Sequence, residues 1–252
     1  MSDTREDGFL GGRLRIRQPA RGYRSGADAV MLAAACPAAP GQRVLELGCG
    51  AGVASLCLGW RVPGARLAGL ERQPDYAALA RENAAANGIG LTVHAGDLAA
   101  MPAALRAETF DHVIANPPYF TGGTAAPDAG RAAARQEQTP LAQWIDAGLR
   151  RLRPGGILTL IQRVDRLPAM LSALEGRAGA AAILPVAARS GHPAGRVLLS
   201  ACKGARGPMR LLAPFVMHAA PRHLHDGEDL TSDASAVLRE GAPLTPLFAK
   251  DW

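Results

Sequence analysis

Short apolar runs alternate with alanine- and leucine-rich stretches along most of the chain. Runs of about five β-prone residues bounded by Gly, Pro, Asn or Asp are typical of strands, and the longer stretches between them are typical of helices. Strands that alternate with helices predict βαβ units and a parallel sheet. The strands are predicted at 43–47, 66–70, 91–95, 110–115, 157–162, 181–186 and 196–202.

The predicted helices lie between these strands. Pro74 stands in the first turn of one helix, where its missing N–H costs nothing, and Asn87-Gly88 ends that helix. Other helices are predicted from the glycines at 48–52 to about Trp60, and at 29–35, 141–152 and 167–175. The Gly/Ala/Thr-rich segment 121–138 is predicted to be a loop, and the tail beyond Gly204 carries no clear pattern. We expect one domain, 1–252, with a core at about 22–204, a basic N-terminal arm and a C-terminal extension.

Composition is that of a globular chain, with 48% hydrophobic and 20% charged residues among 252. The longest apolar stretch, around 29–40, is interrupted by two prolines and falls short of the ~20 residues that a spanning helix needs, so no membrane contact is expected. The polar, partly acidic start does not resemble a secretory signal. The chain has four cysteines, Cys36, Cys49, Cys57 and Cys202, and their spacing is neither that of a zinc site nor Cys-x-x-Cys. We therefore expect no metal site, and we expect free thiols in a reducing cytosol.

The net charge of +6 is concentrated in two stretches without acidic residues. The first, 9–26, contains Arg13, Arg15, Arg17, Arg21 and Arg24. The second, 177–225, contains Arg177, Arg189, Arg196, Lys203, Arg206, Arg210 and Arg222, with His192, His218, His223 and His225. Such stretches favour a surface that faces a polyanion such as RNA, and an ordinary solvated surface is the alternative.

Closely spaced glycines follow the first predicted strand, in Glu46-Leu47-Gly48-Cys49-Gly50-Ala51-Gly52. Glycines there let the backbone approach a ligand and turn tightly into a helix. A dinucleotide site would have G-x-G-x-x-G, with a pyrophosphate at the helix N-terminus. The compact spacing after an acid instead favours a ligand without phosphate, with an ammonium group near Glu46 and a nucleoside over the glycines.

Acidic residues also end the next two predicted strands. Glu71 can accept hydrogen bonds from both hydroxyls of a ribose, each worth ~1.5–3 kcal/mol. Asp97, in Gly96-Asp97-Leu98, can accept from an adenine amino group. Each acid alone is more often a helix N-cap. Three acids at consecutive strand ends, on the edge where open α/β sheets bind ligands, favour a binding site.

The fourth predicted strand ends in Asn116-Pro117-Pro118-Tyr119, and with this motif the chain resembles the class I S-adenosylmethionine-dependent methyltransferases over about 23–204. The resemblance implies a Rossmann-like α/β fold, a seven-stranded, mostly parallel sheet with helices on both faces, and S-adenosylmethionine as cofactor. Adenine-N6, guanine-N2 and glutamine-N5 methylases of that family share the Asn/Asp-Pro-Pro-aromatic loop. The cofactor-site residues implied are Glu46, Gly48, Cys49, Gly50, Gly52, Glu71, Arg72, Asp97, Leu98 and Asn116.

The Asn-Pro-Pro-Tyr motif suits methylation of a planar nitrogen. An exocyclic amine is a poor nucleophile, and the Asn116 side-chain carbonyl and the Pro117 backbone carbonyl can both accept from its NH2 and orient it. Pro117 and Pro118 stiffen the loop. Tyr119 can stack on the base, a contact worth ~1–3 kcal/mol.

The segment 22–32 resembles the one that precedes the cofactor motif in the bacterial tRNA(Val) adenine-N6 methyltransferase family, which modifies the adenine next to the anticodon. The resemblance makes Tyr23 and Asp28 cofactor-site candidates, although Asp28 is equally suited to cap the 29–35 helix. Adenine-N6 methylation of tRNA is therefore the leading prediction. The alternatives are a glutamine-N5 methylase, a guanine-N2 rRNA methylase, and a cofactor-binding subunit that presents RNA without catalysis. Glutamine-N5 methylases carry a helical domain before the cofactor motif, and the 42 residues before the first strand are too few for one. Monomer and dimer both stay open.

Overall fold

The computed structural model describes residues 3–118, 139–220 and 229–249. All seven predicted strands are present within them, several of them longer than predicted. In chain order the strands are β1 (Thr4–Phe9), β2 (Leu14–Pro19), β3 (Arg43–Leu47), β4 (Arg66–Glu71), β5 (Leu91–Ala95), β6 (Phe110–Ala115), β7 (Leu152–Arg163), β8 (Ala178–Arg189), β9 (Ala194–Lys203), β10 (Arg210–Leu211) and β11 (Phe215–His218).

The predicted helices also form, each within a few residues of its expected ends. None of the helices in the described ranges is long and apolar enough to cross a membrane. They are α1 (Ala27–Ala35), α2 (Val53–Arg61), α3 (Pro74–Ala86), α4 (Ala103–Arg106), α5 (Leu141–Arg151), α6 (Leu167–Leu174), α7 (Ser232–Glu240) and α8 (Thr245–Phe248). As expected, α3 begins at Pro74 and is followed by Gly88 in the left-handed conformation, with φ of 65°.

The central sheet has the order β10-β8-β9-β7-β6-β3-β4-β5, and β11 also pairs with β8. In the described part of the chain this sheet has nine strands, and β9 runs antiparallel to the others. Helices cover both faces, with α1, α2 and α7 packed on one and α5 and α6 on the other. The Rossmann-like fold is confirmed, but the predicted seven strands are too few. Strands β10 and β11 of the tail add to β8, and with two and four residues they are too short to recognise in the sequence.

The predicted basic arm is a β-hairpin, β1–β2, whose strands pair from Thr4–Pro19 to Phe9–Leu14. Strand β2 alternates buried Leu14 and Ile16 with exposed arginines. This period of two is the usual signal of a half-buried strand, so β2 was recognisable from the sequence.

Two asparagines of α3 join the hairpin to the central domain. The Asn83 carboxamide accepts from Arg17 N (2.9 Å) and donates to Arg17 O (2.9 Å), and Asn87 makes the same pair of bonds with Arg15 (3.1 and 2.8 Å). Four residues of a helix rise about 6 Å and two residues of a strand about 6.7 Å, so the two side chains match alternate backbone positions of β2. They therefore pair with β2 much as a neighbouring strand would. Asn83 also donates to Ala51 O at 2.9 Å, which connects the hairpin to the glycine turn.

The C-terminal tail packs against α1 by means of helix α7. Thr231 caps that helix, its hydroxyl accepting from Ala234 N at 3.1 Å, and Gly241 follows it in the left-handed conformation. Ala234 and Val237 are buried in the same cluster as α1, and Leu244 N donates to Ala34 O at 2.9 Å. Both end signals are present in the sequence, so this helix was recognisable.

Asn83→Ala is expected to lower the free energy of unfolding by about 2–4 kcal/mol, because it removes three hydrogen bonds from a residue that is 2% exposed. Asn87→Ala also removes three hydrogen bonds, but at a partly exposed position where water can replace the lost partners, so its expected cost is smaller, about 1–2 kcal/mol. Urea unfolding of both variants measures the difference. Equal losses would contradict the role of Asn83 as the buried connection.

Candidate active site

The strands at the centre of the sheet end at one level. Leu47 pairs with Leu70 on one side and Ala115 on the other, and Glu71 pairs with Ala95. The segments that follow these strands therefore start from one edge. They are the glycine turn (48–52), Glu71 with Arg72, Asp97 with Leu98, and Asn116-Pro117.

The glycine turn folds over the end of β4. Gly48 N and Cys49 N both donate to Leu70 O, at 2.8 and 3.1 Å. Gly48, Gly50 and Gly52 have φ of 65°, 54° and 89°. These values lie in the left-handed region, where residues other than glycine are strained. The turn thus has a shape that this spacing of glycines alone allows at low cost.

Gly48 has a second reason to be glycine. A Cβ there would lie 2.6 Å from the ring of Trp144 in α5, which is 9% exposed. Trp144 therefore packs directly against the turn. Nothing in the sequence indicated this contact, because α5 follows a different strand.

Glu46, the acidic residue of β3, is 5% exposed. Its Oε2 accepts from Ser55 N (2.9 Å) and from Ser55 Oγ (2.5 Å), and so satisfies an amide in the first turn of α2. Burial raises the pKa of Glu46 to about 8; the Ser55 hydrogen bonds oppose the rise and the charge of Glu71 adds to it. The carboxyl therefore holds its proton at neutral pH.

Glu71 joins the glycine turn to α3. Its Oε2 accepts from Gly50 N at 2.9 Å and its Oε1 from Gln73 N at 2.8 Å, and the residue is 7% exposed. Gln73 is the N-cap residue of α3, so Glu71 serves this helix end from outside it. The cap and ligand interpretations of Glu71 are thus compatible, because each oxygen has further acceptor capacity.

Asp97 is the third carboxylate at this edge. Its Oδ1 accepts from Ala99 N at 2.8 Å, and its Oδ2 lies 3.8 Å from Arg72 Nη1. Leu98 is partly buried against the apolar cluster below the edge. The Cys49 side chain packs in a buried cluster with Ala77, Ala80 and Val93.

Asn116 is held by an aromatic residue of the N-terminal segment. Its Nδ2 donates to the Tyr23 hydroxyl at 3.3 Å, and Tyr76 OH donates to Tyr23 O at 2.8 Å. Tyr23 is 53% exposed, and its hydroxyl lies beside the Asn116 carboxamide. Desolvation raises the pKa of Tyr23, a hydrogen bond with Ser25 opposes the rise, and the charges of Glu46 and Asp28 add to it. The structure therefore places Tyr23 beside Asn116.

The Pro117 carbonyl has a partner that sequence reasoning missed. Gln162 of β7 donates to Pro117 O from Nε2 at 3.1 Å. Gln162 is 1% exposed, and it follows an apolar run in its strand, which was the available signal. Pro117 is buried and Pro118 exposed, whereas Tyr119 and the predicted loop 121–138 lie outside the described residues.

Asp28 does not cap α1, contrary to one of its two predicted roles. Helix α1 begins at Ala27 with Gly26 as its N-cap residue, which places Asp28 inside the first turn. The Asp28 carboxylate contacts Arg196 Nε of β9 at 3.1 Å. It thus connects α1 to the same edge of the sheet.

Arginines of the two acid-free stretches form ion pairs with acidic residues from other parts of the chain. In the first stretch, Arg15 pairs with Glu6 (3.1 Å), and Arg24 pairs with Asp7. In the second stretch, the pairs are Arg177–Asp146, Arg189–Asp229 and Arg196–Asp28. These acids belong to neighbouring elements, so the local excess of positive charge is smaller than the sequence indicated.

Two histidines of the second stretch are described, His192 and His218. His192 is in the turn between β8 and β9, and His218 Nδ1 lies 2.6 Å from Asp229 Oδ1. His223 and His225 lie outside the described residues, whereas most of the tail segment 222–252 is described, at 229–249. In the ranges that the structure covers, no three His, Cys, Asp or Glu residues gather as metal ligands would.

The chain is similar to known methyltransferases. The model of the methyltransferase small domain family matches residues 26–178. A tRNA1(Val) (adenine(37)-N6)-methyltransferase of Aeromonas hydrophila is 30% identical over 79% of this chain and 85% of that protein. The enzyme of the same name from Porphyromonas gingivalis is 36% identical over 62% of this chain, and the match spans 64% of that relative's length.

A solved structure has the same overall fold. The crystal structure of a predicted O-methyltransferase from Agrobacterium tumefaciens has a TM-score of 0.68 and 27% sequence identity, and the match covers 86% of this chain and 97% of that one. The strand order, the glycine turn and the family match agree with one another. On these grounds the chain belongs to the methyltransferase small domain family.

Proposed function

We propose that this chain is an S-adenosylmethionine-dependent methyltransferase that methylates N6 of an adenine in tRNA, next to the anticodon. The observation that carries the proposal is the position of two carbonyl acceptors, those of Asn116 and Pro117, beside the glycine turn on one edge of the sheet. The names of the relatives from Aeromonas and Porphyromonas support the choice of adenine and of tRNA.

The residues of the edge fit S-adenosylmethionine. Glu46 and Glu71 are two buried carboxyl groups, and their described contacts are with neutral donors. A ligand with an ammonium and a sulfonium group supplies the positive charge that such a pair favours. We assign the ammonium group to Glu46, the ribose hydroxyls to Glu71 and the adenine amino group to Asp97. When bound, the cofactor provides an electrophilic methyl group on sulfur.

The chain's own contribution to the reaction is orientation. The Asn116 and Pro117 carbonyls accept hydrogen bonds from the target amine and direct its lone pair towards the methyl group. Both are neutral amide oxygens, so they hold the amine without removing its proton. That proton leaves after methyl transfer, when the nitrogen carries a positive charge and is strongly acidic. Tyr119 is the proposed stacking partner of the base.

Phosphate contacts are proposed for the arginines of the hairpin and of strands β7, β8 and β9. Arg163, Arg189 and Arg196 lie near the strand ends on the same edge as Asn116, because the antiparallel β9 begins where its neighbours β7 and β8 end. Several of them already contact carboxylates, so RNA would exchange one anionic partner for another. Binding of this kind depends steeply on salt.

Asn116→Ala is expected to lower kcat by ~10²–10³-fold, the loss typical of removing one oriented polar group from a reacting centre. The affinity for S-adenosylmethionine should change by no more than about threefold, because the Asn116 carbonyl faces the acceptor. Methyl transfer to tRNA and calorimetry measure the two quantities.

Two further variants make the Asn116 experiment specific. Asn116→Asp keeps a side-chain oxygen and should retain more activity than Asn116→Ala. Asn87→Ala, outside the edge, should leave kcat unchanged. An Asn116→Ala enzyme with wild-type turnover would remove the Asn-Pro-Pro motif from the mechanism.

The affinity for S-adenosylmethionine should rise as pH increases from 6 to about 7.5. In the cofactor-free protein the pKa of Glu46 is about 8, so a bound cation must displace a proton. Below that pKa each pH unit should strengthen binding up to about tenfold. Calorimetry in buffers of different ionisation enthalpy measures the released proton.

Glu46→Gln is the matched control, because an amide oxygen can still accept from Ser55. It should bind the cofactor more weakly, without proton release over the same pH range. The variant should also unfold at a higher temperature than the cofactor-free wild type above pH 5, and the gap should widen up to pH 8. The raised pKa means that wild type loses stability as pH rises through this range. A pH-independent wild-type affinity would exclude Glu46 from the cofactor site.

The substrate is tested with tRNA(Val) transcripts, one unaltered and one with guanine in place of the adenine next to the anticodon. Nucleoside mass spectrometry should find N6-methyladenosine only in the unaltered transcript, and affinity should fall with increasing salt. Methylation of a release-factor glutamine or of an rRNA guanine would favour those acceptors instead. Salt-dependent RNA binding with no methyl transfer would favour the non-catalytic subunit.

A further inference from the structure

Gln162 is a buried residue that donates a hydrogen bond to the Asn-Pro-Pro motif. It lies near the end of β7, after Ile161, and is 1% exposed. A buried carboxamide is unfavourable unless its polar atoms find partners. Gln162 Oε1 accepts from Arg163 N at 2.9 Å, and its Nε2 donates to Pro117 O at 3.1 Å.

The register of the sheet explains this contact. Leu160 of β7 pairs with Ala115 of β6, so Gln162 stands level with Pro117, just beyond the last paired residue. The strands lie about 4.8 Å apart, a separation that a glutamine side chain spans. Pro117 and Pro118 have no N–H groups, so the backbone of this segment offers few donors of its own. The Gln162 amide supplies one from the neighbouring strand.

The Pro117 carbonyl oxygen has two lone pairs. A hydrogen bond from Gln162 to one of them fixes the plane of the Pro117–Pro118 peptide and leaves the other as an acceptor. The neighbouring Asn116 also has a partner, because its Nδ2 donates to the Tyr23 hydroxyl at 3.3 Å. The two acceptors proposed for the target amine are thus each held by a side chain from another element.

We propose that Gln162 is a positioning residue for the methyl acceptor, because its Nε2–H orients the Pro117 carbonyl towards the target nitrogen. The identity of that nitrogen rests on the proposed function, whereas the hydrogen bond itself does not. A carbonyl that is wrongly oriented affects the transition state more than ground-state binding, so Gln162 acts on kcat and leaves the cofactor affinity unchanged.

Gln162→Leu keeps the volume and removes the donor. Its kcat is expected to fall by about 10–100-fold, with KM for RNA and Kd for S-adenosylhomocysteine within about threefold of wild type. Thr159→Val is the matched control. Thr159 is buried in the same strand at 0% exposure, and its Oγ1 has no hydrogen-bond partner among the residues that the structure describes, so this variant should keep wild-type kcat.

Gln162→Glu separates the hydrogen bond from packing. A protonated carboxyl can donate to Pro117 O, whereas a carboxylate would repel it. Relative to wild type at each pH, this variant should be most active near pH 5.5 and fall to the level of Gln162→Leu by pH 8.5. A purely structural role would give a constant ratio between the two enzymes.

Thermal unfolding of the cofactor-free Gln162→Glu variant gives a readout without activity. Burial beside a carbonyl raises the pKa of a carboxyl above its value in the unfolded chain, so stability relative to wild type should be lost as pH rises from 5 to 8.5. A pH-independent difference would overturn the proposed contact.

The two proposals fail in different ways. If wild type methylates another acceptor, the proposed function is wrong, and the Gln162 variants are then tested on that acceptor. If wild type methylates adenine but Gln162→Leu and Thr159→Val have equal kcat, Gln162 is not a positioning residue. The same conclusion follows if Gln162→Leu loses cofactor affinity in parallel with kcat.

Discussion

The turn that joins β3 to α2 reverses the chain over residues 48–52, and its amide groups need acceptors from outside the turn. Leu70 O accepts from Gly48 and Cys49, and Glu71 accepts from Gly50. Glu46 accepts from Ser55 at the start of the following helix. These acceptors belong to two adjacent strands, so the turn has its shape only where β3 and β4 end at the same level. The remaining parts of the edge, including the position of Asn116 beside Gly48, depend on that register.

The same constraint makes the edge electrostatically unfavourable without a ligand. Two carboxyl groups are buried there, and the pKa of Glu46 is about 8 as a result. Uncompensated burial of this kind lowers stability and is concentrated at functional sites. In the proposed function, the acidic pair that holds the turn also binds the cationic cofactor. Structural support and the proposed ligand binding would then share one set of atoms.

The two ends of the chain close around the helices of one face. Asn83 and Asn87 of α3 hold the backbone of β2, and α7 packs on α1. Arg13 of the hairpin donates to Arg239 O in α7 and lies 5.5 Å from the Trp60 ring. Arginines that stand in acid-free stretches of sequence thus have structural partners, and part of the apparent RNA-binding charge stabilises the fold.

Local sequence patterns determined the elements. Apolar runs of five or six residues, Pro74 at a helix start and Gly88 after its end act within a few neighbouring residues, so the core strands and helices were predictable. The spacing of the glycines and the Asn-Pro-Pro motif likewise carried the methyltransferase resemblance without the fold. The tertiary structure alone decided which residues support them. Trp144 against Gly48, Gln162 on Pro117, and Tyr23 on Asn116 join residues that are distant in sequence. These contacts follow from strand order and register, which arise when the whole sheet buries its two faces and not from any single segment.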